Sequence, residues 1–150
     1  MQASGCIFLS LNTGRVMLQK RSQSCTHPGT WGFFGGKSEQ DERPVETLLR
    51  EIHEELGMTP EIKRIIPVNK FTAPGGGFEY NSFVITVDEE FTPKLNSESD
   101  GFCWVEIGRW PKPLHNGARI QCRSKQFVKK LKTIQEQSSH LDGYQFDQDI

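Results

Sequence analysis

The spacing of apolar positions predicts two amphipathic helices. Between residues 43 and 56, apolar side chains recur every three or four residues, which is typical of a helix with one buried face. Pro44 suits the first turn of this helix, and Gly57 suits its end. A second helix is predicted over residues 118–137. Its apolar positions are Ile120, Phe127, Leu131 and Ile134.

Shorter runs of apolar and β-prone residues predict strands. The chain opens with an expected hairpin, because residues 5–11 and 15–20 flank the turn signal Asn12-Thr13-Gly14. Further strands are predicted over residues 31–34, 61–72, 78–87 and 102–107. The polar stretch 88–100 is predicted to be a loop. Residues 1–137 are therefore expected to form one domain, and residues 138–150, with three Asp and no Lys or Arg, a loosely held tail.

Composition narrows the classes of function. A chain of 150 residues has the usual length of one domain, and its net charge of −1 argues against a broad basic surface for nucleic acid. The charge is unevenly distributed, however. Residues 36–58 hold three basic and seven acidic side chains, a net charge of −4, which leaves +3 for the rest of the chain. An acidic segment thus lies within a mildly basic protein.

The cysteines and the apolar runs bear on location. No apolar run approaches the roughly 18 residues of a membrane span, and the first residues do not resemble a signal peptide. The four cysteines form no CxxC pair. Reduced thiols and a cytoplasmic location are therefore expected.

Three glutamates of the first helix form the most informative cluster. Glu51, Glu54 and Glu55 fall within an arc of about 100° beside the apolar stripe, and like charges at this spacing repel. Mg²⁺ would offset that repulsion, since it prefers oxygen ligands and leaves positions open for substrate phosphate. Arg50 can orient a neighbouring carboxylate, and Gly36 permits a close backbone approach. Spacing alone leaves two interpretations open: a metal site for phosphate chemistry, or a solvated acidic face.

The full motif resembles the Nudix box. Gly36 is followed after five residues by Glu42, and after seven more by the run Arg50-Glu51-Ile52-His53-Glu54-Glu55-Leu56-Gly57-Met58. The aromatic run that precedes the glycines and the order of predicted elements also look like this family, so the resemblance covers about residues 3–137. It implies an α/β fold, a Nudix-type α/β/α sandwich with a mixed sheet. The catalytic helix of that fold lies in a strand-loop-helix-loop motif.

The resemblance also implies roles for the box residues. The Gly36 carbonyl and the carboxylates of Glu54 and Glu55 would bind Mg²⁺ or Mn²⁺, and both glutamates are expected to be exposed. Glu51 would be a metal ligand or the base that deprotonates water. Arg50 would support catalysis through an ion pair with Glu42 that orients the helix. The implied reaction is hydrolysis of a nucleoside diphosphate linked to another group, with release of a nucleoside monophosphate.

Positions outside the box are less strongly indicated. The resemblance implies a further catalytic or metal-binding carboxylate ahead of a later Trp, and Glu98, six residues before Trp104, is favoured, with an exposed acidic loop as the alternative. Arg21 matches a basic position that often contacts substrate phosphate in this family, and Lys37 could neutralise phosphate charge; the alternative for both is an ordinary surface residue. Stacking of a base is predicted for two aromatic residues that could instead belong to the core. These are Phe34 and Phe71.

The substrate is the least determined property. Pro74, sixteen residues after Met58, resembles the proline that family members acting on ADP-ribose commonly have there. This resemblance favours ADP-ribose or a related ADP-linked compound, although Pro-Gly also suits any tight turn. Oxidised nucleoside triphosphates, dinucleoside polyphosphates and capped RNA are the alternatives. A nucleotide-sensing module without catalysis is the alternative of a different class. The expected partner is a small-molecule nucleotide. Binding to a membrane or to extended nucleic acid is not expected, and a homodimer is left open.

Overall fold

The structure, a computed structural model, describes residues 1–138, and the predicted tail from residue 139 onward lies outside them. Within this part of the chain, seven strands form one sheet and three helices pack against it. The strands are β1 (Gln2–Ser10), β2 (Arg15–Arg21), β3 (Trp31–Gly32), β4 (Phe34–Lys37), β5 (Arg64–Thr72), β6 (Glu79–Val87) and β7 (Ser99–Glu106). The helices are α1 (Pro44–Leu56), α2 (Asn116–Cys122) and α3 (Lys125–Ser138).

The sheet is mixed. Its main path runs β3-β2-β1-β6-β5, with β7 paired to β2 and β4 paired to β1. The predicted hairpin is confirmed, because β1 and β2 pair antiparallel with Phe8 opposite Met17. In contrast, β1 and β6 run parallel along their whole lengths, from Gln2 beside Glu79 to Ser10 beside Val87. β1 thus has pairing partners on both sides and forms the centre of the sheet.

Alternation along β1 divides the core between the two faces of the sheet. Cys6 and Phe8 face one cluster, which packs under α1 and includes Phe34, Leu48, Ile52 and Leu56. Ile7 and Leu9 face the other cluster, which packs under α3 and includes Val16, Leu18, Val84, Phe127 and Leu131. The two layers of helix with the sheet between them confirm the predicted sandwich.

The C-terminal helix differs from its prediction. Residues 118–137 were expected to form one helix, but α2 ends at Cys122 and α3 begins at Lys125. The hydroxyl of Ser124 accepts a hydrogen bond from the backbone N–H of Phe127 at 3.3 Å, so Ser124 caps a new helix. The predicted buried position of Ile120 is also wrong, because this side chain is 72% exposed.

Two strand predictions also need correction. The strand expected over residues 31–34 is two strands, and only the second, β4, pairs with β1. The predicted loop 88–100 ends earlier, because Ser99 already belongs to β7. Among residues 1–138, no helix has both the length and the apolar content that a membrane crossing requires.

Candidate active site

Helix α1 places the acidic cluster at the edge of the core. The helix runs from Pro44 to Leu56 and is followed by Gly57, whose left-handed backbone (φ 64°) favours glycine. Leu48, Ile52 and Leu56 are fully buried against the sheet and fix the rotation of the helix. This rotation places the carboxylates of α1 next to β4, which carries Gly35 and Gly36.

Arg50 is the centre of the polar network. Its Nε and Nη2 donate to the two carboxylate oxygens of Glu42 at 2.8 and 2.9 Å, a bidentate pair. Nη1 donates to Glu51 at 2.9 Å and to Glu54 at 3.4 Å, and Nη2 also donates to the Lys37 carbonyl at 3.0 Å. The hydrogen bond that Arg50 donates to Glu42 is the largest cause that raises the pKa of Arg50, and Glu51 adds to it. The predicted Arg50–Glu42 ion pair is therefore present, and Arg50 ties α1 to the loop before it.

Glu42 is held from several directions. Besides Arg50, the Glu39 backbone N–H donates to it at 2.6 Å and the Thr47 hydroxyl donates at 3.1 Å. The Arg50 hydrogen bonds are the main reason that the pKa of Glu42 falls to about 2. A carboxylate that stays ionised at neutral pH is suited to orienting a guanidinium.

Glu51 lies directly against Gly36. A Cβ atom built on Gly36 would be 2.5 Å from the Cδ of Glu51 and 2.6 and 2.7 Å from its two oxygens. No side chain fits there while Glu51 keeps this position. The absence of a Cβ at Gly36 therefore lets the carboxylate approach the backbone of β4.

Glu55 is buried, contrary to the expectation that it is exposed. Only 2% of the residue is exposed, whereas the Glu54 side chain is 53% exposed. Its oxygens accept hydrogen bonds from the Gly35 backbone N–H at 2.7 Å and from the Gln19 amide at 2.9 Å. Two donors thus hold one carboxylate at the base of the site.

Gln19 is a functional residue that the sequence reasoning missed. Its side-chain oxygen accepts from the Ser99 hydroxyl, and its Nε2 also donates to the Phe33 carbonyl at 2.9 Å. Alternation along β2 indicates that Gln19 is buried, because it lies on the same inward face as Met17. In the structure Gln19 is 5% exposed. A buried polar residue at such a position requires partners.

The cluster concentrates negative charge. Burial is the first cause that raises the pKa of Glu55 to about 8, and the charges of Glu51 and Glu98 add to it. Burial likewise raises the pKa of Glu51 against the opposing effect of Arg50. A nearby cation would favour the ionised forms of both groups.

The donor set fits a divalent metal ion, although residues 1–138 contain no three His, Cys, Asp or Glu side chains already grouped around one point. Glu51 and Glu54 are turned to Arg50, and Glu55 is turned to Gln19 and Gly35. The crowded carboxylates and the bare backbone at Gly36, against which Glu51 lies, are features that a hard cation with oxygen ligands would match. Gly36, Glu51, Glu54 and Glu55 are the residues that would hold it.

Glu98 lies close enough to matter electrostatically. It is exposed, immediately before β7, and its charge raises the pKa of both Glu51 and Glu55. Its carbonyl accepts from the Ser22 backbone N–H at 3.0 Å and from the Cys25 thiol at 3.4 Å. The role of Glu98 as an additional carboxylate of the site stays a prediction.

The two predicted phosphate-binding residues differ in their surroundings. Arg21 donates to the carbonyl and the hydroxyl of Thr26 at 2.7 and 3.0 Å, so it braces the loop after β2. Lys37 has an exposed side chain one residue after Gly36. Contact of either with phosphate stays a prediction.

The two aromatic candidates are also unlike each other. Phe34 is fully buried and packs edge-on against Phe8, with ring centroids 5.5 Å apart. Its ring therefore has no face available to a nucleobase, and the predicted stacking role of Phe34 is not supported. Phe71 on β5 is 54% exposed and keeps an accessible ring.

Comparison with known proteins defines the class of this chain. A NUDIX domain model matches residues 1–122, which is most of the chain. The protein therefore belongs to the NUDIX family, as the box between Gly36 and Met58 indicates.

Individual relatives support that assignment. A nucleoside triphosphate pyrophosphatase/Nudix hydrolase fusion protein of Bifidobacterium longum is 34% identical over 99 residues, which cover 64% of this chain and 20% of that protein. CTP pyrophosphohydrolase of Escherichia coli is 42% identical over 45 residues, 30% of this chain and 33% of the relative. The chain thus spans a fifth and a third of the lengths of these two proteins.

Solved structures agree with the fold. A MutT NUDIX hydrolase from Burkholderia pseudomallei matches with a TM-score of 0.59 and 25% identity, over 83% of this chain and 98% of that one. The Nudix hydrolase RenU from M. smegmatis matches with a TM-score of 0.64 over 93% of this chain and 86% of its own. At 22% identity, the second match supports the fold alone.

Proposed function

We propose that this chain is a divalent-metal-dependent pyrophosphohydrolase. It would cleave a nucleoside diphosphate linked to another group and release a nucleoside monophosphate. The observation that carries the proposal is the carboxylate cluster of α1. In this cluster Glu55 is buried and accepts hydrogen bonds from two N–H donors, and Glu51 lies against Gly36. Family membership and hydrolase relatives support it.

The contacts of each site residue indicate its proposed role. Glu54 and Glu55, with the Gly36 carbonyl, would hold Mg²⁺ or Mn²⁺, which neutralises phosphoanhydride charge and lowers the pKa of water. Glu51 is the candidate for taking the proton from the attacking water or for a further metal ligand. Arg50 fixes the side-chain rotamer of Glu51 through the hydrogen bond at 2.9 Å. Its own position is fixed by the bidentate pair with Glu42.

Glu98 is a second candidate for accepting a proton. It is exposed and lies near Glu51 and Glu55, so it can face water and substrate. The loop residues Ser22 and Cys25 hold its backbone rather than its carboxylate, which leaves the side chain free to approach a ligand. Glu98→Gln should therefore slow turnover while it leaves the thermal transition unchanged.

Two substrate classes compete. ADP-ribose or a similar ADP-linked compound is favoured by Pro74, which lies in the exposed turn between β5 and β6. The turn itself is closed by backbone hydrogen bonds from Ala73 to Phe78 and from Gly76 to Ala73, so proline also has a purely structural reason to be there. A nucleoside triphosphate is the second candidate, favoured by the similarity to CTP pyrophosphohydrolase.

A product screen tests the proposal directly. Purified protein with Mg²⁺ or Mn²⁺ is offered ADP-ribose, sugar nucleotides, CTP, oxidised triphosphates, dinucleoside polyphosphates and capped RNA, and the products are identified. We expect a nucleoside monophosphate from at least one compound, and no product after chelation of the metal. A preference for triphosphates would overturn the ADP-ribose assignment. Binding without any product would favour a sensing module.

Matched variants locate the chemistry. Glu54→Gln should lower turnover at least a hundredfold with an unchanged fold, because the side chain is exposed. Glu61→Gln changes an exposed glutamate outside α1 in the same way and should leave turnover at the wild-type level. Equal activity of the two variants would contradict the metal-site assignment.

A further inference from the structure

A second polar cluster lies outside the Nudix box. The imidazole rings of His27 and His115 meet edge to face, with centroids 5.5 Å apart and an interplanar angle of 83°. Arg21 is close enough that its positive charge, after burial, is the next cause that lowers the pKa of His115. Three basic side chains from two distant segments of the chain thus converge.

The backbone holds these segments in place. The N–H of His115 donates to the Trp31 carbonyl at 2.7 Å, which fastens the segment before α2 to β3. His27 adopts a left-handed backbone (φ 53°), and its carbonyl accepts from the Thr30 hydroxyl at 2.8 Å. Arg21 spans the same loop through its two hydrogen bonds to Thr26. The meeting of the two rings is therefore supported from both sides.

The cluster has no counter-charge among residues 1–138. Arg21, His27 and His115 form no ion pair with any residue there, and neither imidazole has a side-chain hydrogen bond. The imidazole N–H groups and the positive charge are thus left for an external anion. A neutral imidazole still carries one N–H that can donate to phosphate.

The position of the cluster relates it to the carboxylates. A Cβ atom built on Gly32 would be 3.5 Å from the Cβ of His115, so the histidine lies over this glycine. Gly32 pairs with Gln19, whose amide holds Glu55. The basic cluster and the buried glutamate are thus connected through two adjacent strands, β3 and β2.

We propose that His27 and His115, together with Arg21, form a phosphate subsite that binds the phosphoryl group next to the one attacked. This inference rests on the proposed function and extends it. The carboxylates take the cation, and the basic cluster beside them takes the part of the polyphosphate that the cation leaves unneutralised. The two histidines come from segments that the Nudix box does not include.

Kinetics of two variants test the subsite. His27→Asn removes the ring and tolerates the left-handed backbone, and His115→Phe keeps a ring over Gly32 without its nitrogens. Each should raise KM about tenfold with kcat within threefold of wild type, and the double variant should raise KM further. His53→Gln is the matched control, because this exposed histidine forms its hydrogen bond with Thr59, away from the basic cluster. A KM within twofold of wild type in both folded variants would overturn the proposal.

A binding measurement separates this inference from the proposed reaction. Imidodiphosphate, a diphosphate analogue with a P–N–P bridge, is titrated calorimetrically into wild type and both variants with Mg²⁺ present. We expect the dissociation constant to rise about tenfold in each variant. Equal affinity in all three proteins would refute the subsite, even if the enzyme hydrolyses nucleotides. A wild type without hydrolysis but with histidine-dependent binding would refute only the proposed reaction.

Discussion

Replacing Gly36 by alanine is the sharpest perturbation that the site offers. The new Cβ would be 2.5–2.7 Å from three atoms of the Glu51 carboxylate, against 3.4–4 Å for ordinary contact. Glu51 would have to move by about 1 Å and stretch its hydrogen bond to Arg50, now 2.9 Å. A displacement of this size at a catalytic group costs about a hundredfold in rate. We therefore expect kcat of Gly36→Ala to fall about a hundredfold.

The fold should survive this change, because the group that must move is the end of a flexible side chain. Gly77→Ala is the matched control, since a Cβ there would meet nothing within 4 Å. Turnover of the best substrate, Mg²⁺ affinity and the thermal transition are measured for both variants. A folded Gly36→Ala with kcat within threefold of wild type would refute the reasoning that Glu51 must lie against bare backbone.

The sequence predicts the chemistry of α1 well because helical spacing is a local property. Residues three and four apart meet on one helix face, so Glu54 had to neighbour both Arg50 and Glu51 once the helix formed. The ion pair between Arg50 and Glu42 follows from the same motif. No comparable local rule brings Gln19 or Glu98 to the site, since the paired residues of β2 and β7 are 78 to 91 positions apart in the sequence.

Helical spacing also predicts that Glu55 is buried. Glu55 follows Leu48 by seven residues, which is close to two full turns, so the two side chains share one face of α1. Its position therefore indicates burial, although Glu55 was expected to be exposed. Its two N–H donors, at Gly35 and Gln19, come from other strands, and they explain how a carboxylate can lie in the apolar stripe.

Three further predictions test the network, the core and the pH dependence. Arg50→Lys should lower kcat ten- to a hundredfold, because lysine cannot form the bidentate pair with Glu42. Arg43→Lys, which changes an exposed ion pair, should leave kcat unchanged. Equal kcat values for the two variants would contradict the role of Arg50. Phe34→Ala should lower the free energy of unfolding by about 3–5 kcal/mol. The exposed Phe71→Ala should change this free energy by less than about 0.5 kcal/mol. Urea unfolding of the two variants checks this contrast, and a similar loss in both would refute it. The pKa of Glu42 is lowered to about 2 chiefly by Arg50, so its contribution to stability is present above about pH 4.5, the ordinary value, and is lost as the pH falls towards 2. The difference in free energy of unfolding between wild type and Glu42→Gln should therefore be constant above pH 4.5 and shrink below it. Urea unfolding from pH 3 to pH 7 measures this difference. An equal difference at pH 3 and pH 7 would contradict the lowered pKa of Glu42.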